Sequence, residues 1–147
     1  MPSVWANRWL TAEAAGRIVL ARALVRFVPL GRWRDTLGTS IGLPAIAETG
    51  SDPLPTALSC ARAVGRAAAR LPGTSKCLPQ AMALQWMLAR RGKSSLLVIA
   101  VVKDRAQAVG DEYHAWVEQG GRMIIGECDR SAYQPIIRLL QGGGTGD

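Results

Sequence analysis

A cysteine, a histidine and a carboxylate stand in that order along the chain, at Cys77, His114 and Glu127. Together these three groups could carry acyl transfer. The imidazole takes the thiol's proton and later protonates the leaving amine. The carboxylate fixes the imidazole tautomer and stabilises its cation. A thiol ionises near neutral pH beside a helix N-terminus or an imidazolium. Cys77 meets the first condition from its neighbours alone. Pro79 has no backbone N–H and fits only the first turn of a helix, so the helix starts at Lys76 or Cys77. His114 is the only histidine in the chain. Each residue also has a plain structural reading: a small buried thiol, a hydrogen-bonded strand histidine, an exposed strand-end glutamate. Residue types leave the catalytic and structural readings open.

The elements that must position these groups are legible from periodicity. The Cys77 helix ends at Gly92 after the basic turn Arg90-Arg91, which suits the negative end of the helix dipole. Leu78, Ala81, Met82, Leu84, Trp86, Leu88 and Ala89 form a broad apolar arc, with Lys76, Gln80, Met87, Arg90 and Arg91 opposite. The run Leu96 to Val102 is continuous, apolar and rich in β-branched residues, as in a buried strand. Asp111 to Glu118 alternates, Gln119-Gly120-Gly121-Arg122 signals a hairpin, and Met123 to Glu127 returns as the partner strand. With Gly120 and Gly121 as the loop, paired residue numbers sum to 241. Glu118 then faces Met123, Trp116 faces Ile125, and His114 faces Glu127 at about 4.5–5.5 Å between Cβ atoms. Cys128 falls on the opposite face with Tyr113, Ala115 and Val117. That phasing counts against a metal site of Cys77, His114 and Cys128, and neither metal nor cofactor is expected.

The preceding residues read as helical. Thr11 to Val28 forms a helix stopped by Pro29 and Gly31, and Trp33 and Leu37 suggest a further turn or two. Gly38 to Pro55 is a connector without a period, and Thr56 to Leu71 is a second helix closed by Pro72-Gly73. Arg62, Arg66 and Arg70 make a stripe on it, read first as a solvated face and second as a docking surface for an acidic partner. Ser131 to Leu140 gives a last short strand or helix interrupted by Pro135. The organisation expected is therefore a helical region over 1–73, a catalytic core over 74–140 that is compact with the helices, and a disordered tail over 141–147. The fold class is α+β.

With 147 residues, 48% hydrophobic and 20% charged, the chain can bury a core. Its net charge of +7 favours an acidic partner. Three cysteines without a CxxC argue against a disulfide framework and suit a reducing cytoplasm. The apolar segment from Ile18 to Leu30 is broken by Arg22 and Arg26 and is too short to span a bilayer. No membrane association is expected.

The run Cys77 to Gly92 (CLPQAMALQWMLARRG), followed by a strand and then His114 to Glu118 (HAWVE), resembles the lasso peptide leader peptidases. These are the transglutaminase-like cysteine peptidases of lasso peptide biosynthesis. The resemblance covers residues 74–128. It implies a transglutaminase/papain-like fold, with N-terminal helices and a Cys-bearing core helix packed on a small antiparallel sheet. It implies removal of the leader from a ribosomally made precursor peptide, with Cys77 and His114 carried over directly. The family usually places Asp a dozen or so residues after the His. Here Gly126 and Glu127 occupy that place, so Glu127 is the substitute and Asp129 the runner-up. The helical N-terminal part does not read as a leader-recognition domain. The resemblance therefore implies a stand-alone peptidase served by a separate recognition protein, with a lasso cyclase acting on the freed core peptide and no nucleic-acid partner. Two other readings remain at this stage. One is a non-catalytic basic helical module binding acidic peptide or nucleic acid. The other is amide or acyl transfer on the same fold.

Overall fold

The computed structural model describes residues 4–40, 55–72, 77–102, 113–119, 122–126 and 132–141. Helix α1 (Val4–Phe27) starts at Val4 rather than Thr11 and so includes Trp5 and Trp9. It buries Ala14, Ile18 and Ala21, four and three residues apart, which is one helical face. A short α2 (Leu30–Trp33) and a 3-10 turn (Arg34–Leu37) follow, and Trp33 and Leu37 are buried. Helix α3 (Pro55–Arg70) buries mostly small side chains: Ala57, Cys60, Ala61, Ala63, Val64 and Ala67. Small residues let α1 and α3 approach α4 (Cys77–Arg90) closely.

Helix α4 is the centre of the molecule. It packs on α1, α3 and the strands β2 (Ser95–Val102) and β3 (Tyr113–Gln119). Met87, expected on its outer side, is fully buried, as are Met82, Leu84, Gln85 and Leu88. Enclosure on nearly all sides follows from a helix layer on one flank and a sheet on the other. An ion pair anchors its far end: Arg91 Nη2 and Nη1 lie 2.7 and 3.0 Å from the two carboxylate oxygens of Glu13 on α1. The hydrogen bond from Arg91 lowers the Glu13 pKa against the opposing effect of burial.

The sheet is antiparallel, in the order β1 (Thr39–Ser40), β5 (Tyr133–Gln141), β2 (Ser95–Val102), β3 (Tyr113–Gln119), β4 (Arg122–Ile125). The segment expected as a last strand or helix is a strand over Tyr133–Gln141, and an inner one. Pro135 has no N–H to give to a neighbour. The ladder meets this with a bulge: Ile99 pairs with Ile137 but Ala100 with Pro135, and Ile136 between them is 52% exposed.

The hairpin carries a second bulge, and it corrects the expected register. Gln119 pairs with Arg122 and Glu118 with Met123, as a two-residue loop requires, but Val117 then pairs with Ile125. Trp116 therefore does not face Ile125; Glu127, expected opposite His114, lies outside the described residues. Strict alternation would have sent Ile124 and Ile125 to opposite faces. The extra residue lets both pack against the large helix-side core. That core also takes Leu97, Ile99, Ala115, Val117 and Leu139 from the sheet. A smaller cluster on the other face holds Val98, Ala100 and Trp116, with Leu96, Met123 and Tyr133 against it.

One buried polar residue ties these layers together. Gln85 Nε2 donates to the carbonyls of Leu37 (2.8 Å) and Leu139 (2.9 Å), and its Oε1 accepts from Ser95 Oγ (2.6 Å). Gln85→Leu would fill the space but orphan three buried polar partners. We expect it to cost about 2–4 kcal/mol and lower Tm by about 10 °C, checked by calorimetry at constant pH. A Tm within a degree or two of wild type would mean that the amide is not a structural tie. Among the described residues, no helix is long and apolar enough to cross a membrane.

Candidate active site

Cys77 is the first residue of α4, as Pro79 required. Its side chain is only partly buried, and its sulfur accepts a hydrogen bond from the Ala115 N–H at 3.3 Å. Among the described residues the β3–β4 pairing runs as far as Val117–Ile125, and two residues before Val117 the Ala115 amide donates to the thiol. The chain neighbour of that amide is His114, whose imidazole hydrogen-bonds the same thiol. One strand thus supplies both a main-chain donor and an imidazole to Cys77.

The two ring nitrogens of His114 have separate tasks. Nε2 lies 2.8 Å from the Gly126 carbonyl oxygen. A carbonyl only accepts, so Nε2 carries the hydrogen and Nδ1 is left for the thiol. The ring stacks on Tyr133, with centroids 5.4 Å apart and planes at 30°, and sits 6.2 Å from the buried Trp116 ring. Trp116 is itself pinned, its Nε1 donating to Glu118 Oε2 at 2.7 Å. His114 shares the strand phase of Trp116, on the face away from the helices, while Cys77 approaches from the helix side.

The electrostatics favour a thiolate–imidazolium pair. Burial pushes the Cys77 thiol up, but the hydrogen bonds from His114 and the Ala115 amide more than offset it, and the thiol pKa is lowered. The hydrogen bond to Cys77 raises the His114 pKa, burial opposes this, and the Gly126 carbonyl adds to the rise. Both shifts run in the direction that eases transfer of the proton from sulfur to nitrogen. Cys60 contrasts with this. It is fully buried in the core, and burial raises its pKa.

A sequence profile of the transglutaminase-like superfamily matches residues 18–138. The chain belongs to that superfamily. Its members are typically cysteine peptidases or acyl transferases. No curated protein and no solved structure gives a match. The α+β architecture, with Cys77 opening a core helix against an antiparallel sheet, is that of a transglutaminase-like domain.

Cys77 and His114, expected to work together, are brought into contact. Glu127, Asp129 and Cys128 lie outside the described residues, and so does the 142–147 part of the expected tail. Three contributors were not anticipated: the Ala115 amide, the Gly126 carbonyl and the Tyr133 ring. The first two are main-chain groups and leave no residue-type signal. Tyr133 is separated in sequence from everything it touches. Among the described residues, no cluster of His, Cys, Asp and Glu could hold a metal.

Proposed function

We propose that this transglutaminase-like chain is a cysteine peptidase that removes the leader from a lasso peptide precursor, with Cys77 as nucleophile and His114 as acid–base. The observation that supports this reading is the Cys77–His114 hydrogen bond, with the thiol pKa lowered and the imidazole pKa raised. The sulfur attacks the scissile carbonyl carbon and a C–S bond forms. The imidazolium gives its proton to the amide nitrogen, the C–N bond breaks, and the C-terminal fragment leaves as an amine. Water, deprotonated by His114, then attacks the thioester, releasing the carboxylic acid and restoring the thiol. The positive dipole end at the start of α4 suits the oxyanion of both tetrahedral intermediates.

Glu127 is proposed as the carboxylate that stabilises the imidazolium. Its backbone is bonded directly to Gly126, whose carbonyl oxygen is 2.8 Å from Nε2. Glu127→Gln should slow cleavage by about 10- to 100-fold, less than loss of Cys77 or His114, while Glu127→Asp retains part of the activity and Asp129→Asn stays near wild type. Cleavage rates of the three variants at one pH, with circular dichroism as the folding control, check this. A crippled Asp129→Asn beside a healthy Glu127→Gln would transfer the role to Asp129.

The resemblance across residues 74–128 supports leader removal as the specific reaction, in a cytoplasmic pathway. It also supports a separate leader-recognition protein that delivers the precursor to this chain and a cyclase that consumes the product. Delivery raises the effective concentration of the scissile bond without new catalytic contacts. The deciding experiment is mass spectrometry of a candidate precursor incubated with this chain and the recognition protein. Hydrolysis predicts two fragments whose masses sum to the precursor plus one water. Products joined to an added amine would show acyl transfer instead.

A further inference from the structure

A groove of about 650 Å³ runs between α1 and α3, and its lining includes none of the residues that surround Cys77. Its walls mix two chemistries. Val4, Ala12, Ala15, Ala67 and Leu71 are apolar, while Arg8, Arg66 and Arg70 are cationic, and no acidic residue among the described ones lines it. Among the described residues, ion pairs are made by Arg90 and Arg91 with Glu13, and none by these three arginines.

Two of the arginines are held in place. Arg66 donates from Nε to Thr11 Oγ1 at 3.0 Å, bridging α3 to α1, with Nη2 3.5 Å from the Asn7 carbonyl. Arg8 lies over the Trp5 ring at 5.3 Å, and Trp5 and Trp9 are 68% and 74% exposed on the same helix. Positioned guanidinium groups lose less side-chain entropy on meeting a carboxylate. Exposed tryptophans beside a groove are typical anchors at interfaces rather than features of an idle solvated face.

We propose that the α1–α3 groove is a docking site for an acidic, partly apolar peptide segment of a partner or substrate protein. Carboxylates meet Arg8, Arg66 and Arg70, and apolar side chains fill the space between the helices. Charge complementarity selects the acidic segment. The alanine-lined floor between the helices takes apolar side chains and so favours a peptide over a nucleic acid, whose phosphates need an open basic track. The groove also bears on the active site by chain reach. Leu71 lines it and Cys77 follows six residues later, so its end lies within about 20 Å of the thiol. A segment held there can present a scissile bond carried on the same chain. The proposal does not require that Cys77 cleave what the groove binds.

The test is fluorescence anisotropy with the full chain and a labelled peptide of alternating leucine and glutamate pairs, alongside the same peptide with glutamine for glutamate. We expect saturable binding of the acidic probe, at least about tenfold weaker binding of the glutamine probe, and a similar loss for the double variant Arg8→Glu, Arg70→Glu. Both arginine side chains sit at exposed positions, and the glutamine probe tests the charge requirement without changing the protein. Equal binding of the two probes, no loss in the double variant, or no binding of the acidic probe would overturn the proposal. So would tighter binding of a labelled single-stranded oligonucleotide with the same arginine dependence. Binding is read without turnover, so failure here and failure of the peptidase reading are separate results.

Discussion

Cys77→Ala should reduce precursor cleavage by about 10⁴-fold or more while the protein remains folded. At the start of α4 the thiol accepts the Ala115 amide and is hydrogen-bonded to His114. Its removal leaves no nucleophile, and because the side chain is only partly buried the cost in Tm should be a few degrees at most. Cys60→Ala should keep its activity, since Cys60 is buried in the helical core. The pH dependence follows from the same pair. The thiol pKa is lowered, so the ion pair forms as pH rises through a value below the usual thiol range near about 8.5. The imidazole pKa is raised, so the pair is lost only as pH passes a value above the usual histidine range near about 6.5. Cleavage should therefore be bell-shaped, its acidic limb displaced below the usual thiol range and its basic limb above the usual histidine range. Iodoacetamide should alkylate Cys77 well below pH 8 and leave Cys60 almost untouched in the folded protein. The single histidine gives a further readout. The thiol raises its pKa, so the imidazole NMR titration of Cys77→Ala should move down from that of wild type. An alkylation profile with an ordinary thiol midpoint, or an unmoved imidazole titration, would show that no ion pair exists.

How much of this could be read from the chain depends on which atoms carry the information. Pro79 located the start of α4, and with it Cys77, because a missing N–H admits only a few positions. The alternation from His114 to Glu118 placed the imidazole on the Trp116 face, because strand period is a local property. The register beyond Glu118 was not local. It depended on whether Ile124 could join Ile125 in the core, and that is decided by the helix layer rather than by the hairpin. The same holds for β5. A proline inside a strand pattern argues against an inner strand, and only the matching bulge opposite Ile99 and Ala100 admits it. Met87 was misplaced for a simpler reason. A helical wheel assumes one solvent-facing side, and α4 has almost none.

Gly126→Ala should be nearly as damaging to the rate as loss of a catalytic side chain, although it only adds a methyl group. Gly126 has φ of +76°, a conformation that costs an L side chain about 1 kcal/mol or more. A Cβ there would stand 2.5 Å from the Ala115 carbonyl oxygen and 3.1 Å from Trp116 Cα, both on backbone that cannot swing aside. Ala115 and Trp116 directly follow His114, so relief must come from moving the Gly126 segment away from β3. That movement withdraws the carbonyl that holds the Nε2 hydrogen. A histidine without that acceptor can put its hydrogen on Nδ1, and a protonated Nδ1 in a neutral ring cannot take the thiol's proton. Loss of tautomer control in this way costs about 10²–10⁴ in kcat, with KM changing far less. The Gly126 carbonyl also raises the His114 pKa, so the imidazole titration of the variant should fall as well. Gly65→Ala is the matched control. Nothing lies within 4 Å of its Cβ position on α3, and alanine there should stabilise the helix by about 0.5–1 kcal/mol with the rate unchanged. A merely structural role for Gly126 would lower Tm and leave kcat and the imidazole titration of the folded fraction at wild-type values. A folded Gly126→Ala with full kcat would remove the carbonyl from the mechanism and leave orientation of His114 to the Tyr133 stack and the proposed Glu127 carboxylate.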